Sequence, residues 1–255
     1  MIEAVNLSKN FGDVQALRNL SITVPPGELF CFVGPNGAGK TTTIKLLTGL
    51  LHPTTGTGRI CGYDIQSSPV AAKQNMAYIP DMPFLYDRLT PREFLLFTGD
   101  LYGLSAAETS GRASELEELF GLQEYHTSLI KDMSHGMRQR LIYAAGFLHR
   151  PKVLFIDEPL IGLDPYTIRL IKNQLRSKTA NGMTVFLTTH ILALAEDIAD
   201  RVAVIDRGRL TAVGTLLELH RNYPDCRSLE DIFLRITGAP VDDGSSRARH
   251  DGNSP

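Results

Sequence analysis

Cysteine is scarce. The chain holds only Cys31, Cys61 and Cys226, an odd count with no C-x-x-C pair. That argues against a disulfide framework and fits a reduced, cytosolic protein. Charge of neither sign is in excess. The formal net charge is −2, so nothing in the balance attracts a polyanion, and nucleic acid is not an expected partner. Long apolar runs are missing as well. The longest stretches, such as 141–148 (LIYAAGFL), fall well short of the roughly 18 residues needed to span a bilayer. The opening MIEAVNLSKNFG has no basic start followed by an apolar run, so no signal peptide is expected. No internal repeat and no heptad run occur. What is present is a chain of 255 residues, 43% hydrophobic and 21% charged. That is enough for a full core, as one large domain or as a domain with a sizeable insert.

Strands dominate the first part. IEAVNL alternates, LSITV follows after a polar turn, and 29–33 (LFCFV) is a short apolar run between Gly27 and Gly34. Such a run suits a strand buried on both faces. A helix is predicted over 41–51, stopped by Pro53, with short strands at 59–61 and 76–79. The character changes near Asp81. Thr90-Pro91-Arg92-Glu93 reads as a capping box with proline at the first helical position, and Ser105-Ala106-Ala107-Glu108 as a second. Residues 81–133 therefore read as an all-helical insert. Beyond it the expected order is a helix (134–149), a buried strand (153–156), a helix (165–179), a strand (184–187), a helix (191–199), two strands (202–205 and 210–213) and closing helices (216–221 and 229–237). This alternation predicts an α/β fold with a mainly parallel sheet and helices on both sides. The end, 239–255 (APVDDGSSRARHDGNSP), has little to bury and is expected to be disordered.

Three clusters carry chemistry. Gly34-Pro35-Asn36-Gly37-Ala38-Gly39-Lys40-Thr41 matches the phosphate loop G-x-x-x-x-G-K-[ST], after a predicted strand and before a predicted helix. Its glycines let backbone N–H groups converge on phosphate oxygens, and the helix start adds its positive end. Lys40 is expected to reach the β- and γ-phosphates, Thr41 to bind Mg²⁺, and Thr42 to lie near the α-phosphate. A glycine-rich turn that binds nothing is the plain alternative, and the strand–loop–helix order weighs against it. In 153–159 (VLFIDEP) four apolar residues lead into two carboxylates. Asp157 is expected to hold Mg²⁺ through water, and Glu158 to polarise an attacking water as general base. Solvated acids at a strand end would be the default without a phosphate loop upstream. His190 ends the next strand, and parallel sheets gather ligands at the carboxyl ends of their strands. It is a candidate for contact with the γ-phosphate and for holding the water–Glu158 geometry.

These motifs, in this order, resemble the ATP-binding subunit of an ABC transporter. The resemblance covers about residues 1–238. It includes Phe11 before the phosphate loop, Tyr78-Ile79-Pro80-Asp81 after a strand, and Met133-Ser134-His135-Gly136-Met137 opening a helix. It continues through the Asp157-Glu158 strand, Ile161-Gly162-Leu163-Asp164 and His190. Ser134 and Asp157 are 23 residues apart, a spacing the family shares.

The resemblance implies a P-loop NTPase of ABC architecture: an N-terminal antiparallel β subdomain, a catalytic core (1–80 and 134–220), a helical subdomain (81–133) and C-terminal helices (221–238). It implies ATP and Mg²⁺, and two subunits head to tail as a homodimer or a heterodimer of paralogues. Ser134 and the Gly136 backbone would then touch the γ-phosphate of the partner's ATP, and Asp164 would cross to the opposite phosphate loop. Phe11 would stack on adenine; the plain alternative is an apolar packing residue. A separate membrane-spanning permease is implied, placing the subunit at the cytoplasmic face of the membrane.

Two positions depart from the family pattern. His135 stands where the signature LSGGQ has its first glycine. A histidine at a helix start can hold ordinary helical angles and point outward, and its ring can donate to a phosphate. Asp81 stands where glutamine is usual. A carboxylate can still accept from a Mg²⁺-bound water, and an acid here resembles the bacterial exporter branch. So do Leu85-Tyr86-Asp87-Arg88-Leu89-Thr90 and Leu229-Glu230-Asp231-Ile232-Phe233-Leu234. Three rivals stand beside an exporter ATPase. A soluble ABC-type ATPase usually carries two such domains or a long coiled-coil insertion. A regulator that binds nucleotide without steady turnover would not need both Glu158 and His190. A P-loop kinase would leave the signature unexplained.

Overall fold

The computed structural model describes residues 1–82, 84–158 and 163–238. The elements, in chain order, are β1 (Ile2–Phe11), β2 (Val14–Val24), β3 (Leu29–Val33), α1 (Lys40–Leu47), β4 (Thr55–Ile60), β5 (Tyr63–Asp64), α2 (Pro69–Gln74) and β6 (Met76–Ile79). They continue with α3 (Pro91–Leu101), α4 (Ala106–Leu119), α5 (His135–Leu148), β7 (Val153–Asp157), α6 (Pro165–Ala180), β8 (Thr184–Thr189) and α7 (Leu192–Ile198). β9 (Arg201–Asp206), β10 (Arg209–Gly214), α8 (Leu216–Asn222) and α9 (Leu229–Thr237) complete the set, with short 3₁₀ turns between α4 and α5.

Two sheets form. The first is antiparallel, in the order β2-β1-β4-β5. The second runs β10-β9-β3-β8-β7-β6; β3 and its neighbours are parallel, and only the β9–β10 pair at one edge is antiparallel. β3, β7 and β8 are buried at every position, because both faces of the parallel sheet are covered. The two-residue period of the strands sorts their side chains. Leu29, Cys31, Val33, Leu154, Ile156, Val185 and Leu187 join the core that α5, α6, α7 and the helical segment build. Phe30, Phe32, Phe155 and Phe186 turn to the other side, where α1 and the antiparallel sheet cover them. Phe186 sits at the centre of that aromatic group, 5.4–5.7 Å from each of the other three ring centroids.

Some elements differ from expectation for local reasons. α1 stops at Leu47 rather than running to residue 51. Gly49 has φ +67°, its N–H bonds the Leu46 carbonyl and the Leu50 N–H bonds the Lys45 carbonyl. That is a Schellman ending, which a glycine makes easy, and it acts before Pro53 can. Cys61 leaves the strand expected at 59–61: with φ +53° it shares a two-residue turn with Gly62 between β4 and β5. Thr90 and Glu93 do make a reciprocal capping box. Ser105 caps α4, but Glu108 bonds Arg112 one turn on instead of returning to the cap. α2, opened by Pro69, was not foreseen. Residues 84–133 hold α3, α4 and the 3₁₀ turns and no strand, tied by Arg92, which reaches Ser110, Ser114 and Glu117 across the α3–α4 gap. Among the described residues no helix is long and apolar enough to cross a membrane. The end predicted to be disordered, 239–255, lies outside the described residues.

Candidate functional site

The strand order explains how the site assembles. β3, β8 and β7 are consecutive neighbours, and β6 lies beside β7. Their carboxyl ends carry the phosphate loop, His190, the Asp157-Glu158 pair and Asp81, in that spatial order.

The loop from Gly34 to Gly39 turns tightly between β3 and α1. A Cβ on Gly34 would lie 2.4 Å from the Ile205 carbonyl oxygen, so only glycine fits there. Gly39 has φ +111° and faces the Ala16 carbonyl. The Ala38 N–H bonds the Pro35 carbonyl, the Gly208 N–H bonds the Ala38 carbonyl, and the Thr43 hydroxyl bonds the Gly39 carbonyl. Lys40 opens α1 at only 7% exposure. Its ammonium donates to the Gly34 carbonyl at 2.8 Å and the Pro35 carbonyl at 3.2 Å, and lies 3.5 Å from Glu158 Oε1. A cavity of about 260 Å³ opens here. Asn36, Gly37, Gly39, Lys40, Thr41 and Thr42 line it from the loop and helix start, with Ala16, Asp81 and Glu158 opposite. Pro35 and Ala38 instead line a second cavity, together with Asp206, Arg207, Phe233 and Thr237.

Asp157 ends β7 and is almost fully buried. Its Oδ1 accepts from the Thr188 hydroxyl. Glu158 has φ +51°, rare outside glycine, and its N–H donates to the Thr188 carbonyl at 3.0 Å. Glu158 Oε2 accepts from His190 twice: from the backbone N–H at 3.3 Å and from ring Nδ1 at 2.9 Å. A carboxylate only accepts, so Nδ1 carries the proton in this pairing. Desolvation pushes the Asp81 carboxyl up from its usual range, and the nearby charges of Asp157 and Glu158 push it further, against the opposing influence of His190.

Asp81 thus meets the repulsion of two further carboxylates, Asp157 and Glu158, while the Lys40 ammonium lies beside Glu158. A divalent cation would relieve that repulsion. Among the described residues no three His, Cys, Asp or Glu side chains form a metal cage by themselves. Mg²⁺ does not need one: it keeps several waters and is usually held by one or two carboxylates plus substrate phosphates. The Thr41 hydroxyl, Asp157 and Asp81 are a donor set that fits.

A second group stands apart. Ser134 is the N-cap of α5 and accepts from the Met137 N–H at 3.3 Å. His135 is the first helical residue, exposed and without positive φ. Asp164 caps α6, accepting from the Thr167 N–H at 2.9 Å and hydroxyl at 2.7 Å. These bonds lower the Asp164 carboxyl below its usual range. A Cβ on Gly136 would come within 3.1 Å of Asp164 Oδ2, so the two helix starts touch. None of Ser134, His135, Gly136 and Asp164 lines the cavity at Lys40. Nor does Phe11, which ends β1 at 48% exposure, too open for a core residue, with the Lys9 ammonium 5.1 Å from its ring centre. Pro159, Ile161 and Gly162 lie outside the described residues.

Sequence reasoning missed Thr188, Ala16 and Gly208. Thr188 lies in the strand expected to end at His190, but its hydroxyl carries no role in the sequence reading. The polar pair Thr188-Thr189 at the carboxyl end of a buried strand was the available signal. Gly208 has φ +75° and a Cβ there would stand 2.8 Å from the Ala16 carbonyl oxygen, so the glycine itself was a signal, whereas nothing in the residue type of Ala16 marks its place beside the loop.

The ABC transporter family profile matches residues 17–161. The linearmycin resistance ATP-binding protein of Bacillus subtilis is 36% identical over 219 residues, spanning 86% of this chain and 70% of that protein. The Nod factor export ATP-binding protein I of Burkholderia lata is 38% identical over 249 residues, spanning 98% of this chain and 82% of that protein. A solved ATP-binding subunit of an ABC transporter superposes with a TM-score of 0.87 at 35% identity, covering 92% of this chain and 98% of its own. A phosphate loop, an acidic strand end and a histidine gathered at the carboxyl ends of neighbouring strands, on a chain with these relatives, leave one conclusion: this protein belongs to the ABC transporter family, as an ATP-binding subunit with ATPase chemistry.

Proposed function

We propose that the chain energises an exporter through a separate permease, with residues 1–80 and 134–220 as catalytic core, 81–133 as helical subdomain and 221–238 as closing helices. The observation that carries the chemistry is the position of Glu158: its carboxylate lies between Lys40 at 3.5 Å and His190 at 2.9 Å, beside the phosphate loop. Lys40 neutralises charge on the β- and γ-phosphates, and the loop N–H groups and the start of α1 add to it. Mg²⁺, when bound with ATP, neutralises the phosphate oxygens further; Thr41, Asp157 and Asp81 would hold it. Glu158 accepts the proton of the attacking water, and His190 keeps its carboxylate oriented.

Ser134, His135, Gly136 and Asp164 form the surface offered to a second subunit's ATP, which accounts for their distance from this chain's own cavity. Phe11 offers its exposed ring to the adenine. The export direction is supported by the relatives named for linearmycin resistance and Nod factor export. Docking on a permease at the cytoplasmic face of the membrane is supported by bare apolar side chains next to Asp81, with Met82 87% and Phe84 80% exposed. The Glu158–His190 pairing argues against a nucleotide switch without turnover.

Glu158→Gln tests the core of the proposal. The variant should bind ATP, lose turnover by at least about 100-fold, and shift from monomer to dimer in light scattering when ATP and Mg²⁺ are added. Parental turnover would assign the base to another residue. Phe84→Ser should lose co-purification with membranes while keeping ATP binding.

A further inference from the structure

Thr188 touches both carboxylates at the end of β7. It pairs with Asp157 in the β7–β8 register. Its hydroxyl donates to Asp157 Oδ1, and its carbonyl accepts the Glu158 N–H at 3.0 Å. Thr188 is completely buried, in a strand whose preceding residues are Val185, Phe186 and Leu187. A buried hydroxyl in an apolar strand costs stability unless it is bonded, and this one is spent on a single carboxylate oxygen. Among the described residues no hydrogen bond reaches the other oxygen, Oδ2.

We infer that Thr188 is the positioning residue of the metal-binding carboxylate: its hydroxyl fixes the rotation of Asp157 so that Oδ2 is the oxygen left for hydrated Mg²⁺. The inference rests on the assignment of Asp157 to Mg²⁺. The two bonds of Thr188 separate by substitution. Valine has nearly the same shape and removes only the hydroxyl bond. The backbone bond to Glu158, and with it the left-handed turn that aims the base, survives. Partners that orient a metal ligand typically contribute 10–100-fold to metal affinity.

The test is a Mn²⁺ titration of the full chain followed by electron paramagnetic resonance, with the non-hydrolysable β,γ-imido analogue of ATP present. Circular dichroism checks the fold, and analogue affinity in EDTA checks the phosphate loop. Thr188→Val should weaken Mn²⁺ binding about 10-fold or more while analogue affinity in EDTA stays parental. Thr188→Ser, which keeps the hydroxyl, should restore Mn²⁺ binding. If Thr188→Val does not fold, Thr188→Ala is compared with Thr188→Ser in the same way. Asp157→Asn separates the two levels of the argument. If it weakens Mn²⁺ binding and the Thr188 variants do not, the positioning role is overturned. If Asp157→Asn itself binds Mn²⁺ as the parent does, the metal assignment falls first and takes the inference with it.

Discussion

His190 donates its ring Nδ1–H to Glu158 Oε2 at 2.9 Å, and its backbone N–H reaches the same oxygen at 3.3 Å. One residue therefore holds one oxygen of the proposed base from two directions. His190→Ala keeps the backbone bond and loses the ring. Turnover should fall about 100-fold, the low end for a group that supports general base catalysis, with little change in ATP affinity. Steady-state hydrolysis beside equilibrium nucleotide binding checks this; unchanged turnover would make the ring a bystander.

Lys40 is held by two loop carbonyls and by Glu158. Its ammonium is thus pre-placed where phosphate oxygens would lie, and phosphates must compete with Glu158 for it. Lys40→Ala should abolish measurable hydrolysis and also weaken ATP binding, because the lost charge serves ground and transition states alike. Turnover near the parental rate would remove the central claim.

Gly136 gives Asp164 the room it occupies, since an added Cβ would stand 3.1 Å from Oδ2. That contact is tight, so Gly136→Ala should push Asp164 out of its capping geometry. His135 is exposed and lies in helical backbone, so His135→Gly relieves no strain within the chain. In the Glu158→Gln background, Gly136→Ala should raise the ATP concentration needed for dimerisation. His135→Gly should leave it within about threefold, less than 1 kcal/mol. Light scattering across an ATP titration reads both. A dimer that tightens markedly in His135→Gly would show that the histidine hinders the clasp.

His149 predicts an acid sensitivity away from the site. Its ring stacks on Tyr102, with centroids 3.6 Å apart, and its Nε2 lies 3.1 Å from the Met76 carbonyl oxygen. The carbonyl can only accept, so the proton sits on Nε2, and buried Nδ1 has no partner among the described residues. Burial, with the charge of Arg112 as a smaller contribution, lowers the pKa from 6.5 to about 4. A second proton is therefore bound more readily by the unfolded chain. The stabilisation is complete above pH 6.5 and is lost as pH falls towards 4, up to about 3 kcal/mol at ~1.4 kcal/mol per unit. His149→Phe keeps a ring against Tyr102 and removes the titration. Urea unfolding at pH 7 and pH 5 should show a smaller loss on acidification for the variant than for the parent. An equal loss would assign the sensitivity to other groups.

The local parts of the fold were legible because their causes are local. The phosphate loop, the capping of α3 by Thr90 and the start of α5 at Ser134 each depend on residues within a few positions. Boundaries failed where a less conspicuous local signal acted first, as when Gly49 ended α1 ahead of Pro53. Thr188 lies in the strand expected to end at His190, yet residue type gives no sign that its hydroxyl meets Asp157, because the β7–β8 register is not local.

By itself the sequence determined which residue types stand at which strand ends: glycines and Lys40 after β3, two carboxylates at the end of β7, a histidine after β8. Backbone propensity and short-range spacing are enough for that. Only the tertiary structure decided that these ends are neighbours. Strand order β3-β8-β7-β6 comes from pairing between segments more than a hundred residues apart in part, which no local periodicity encodes. That order sets Glu158 between Lys40 and His190, hangs Asp157 on Thr188, and brings Gly136 against Asp164. Each of these contacts joins residues 28 or more positions apart, which strand pairing and the packing of helices on the sheet bring together.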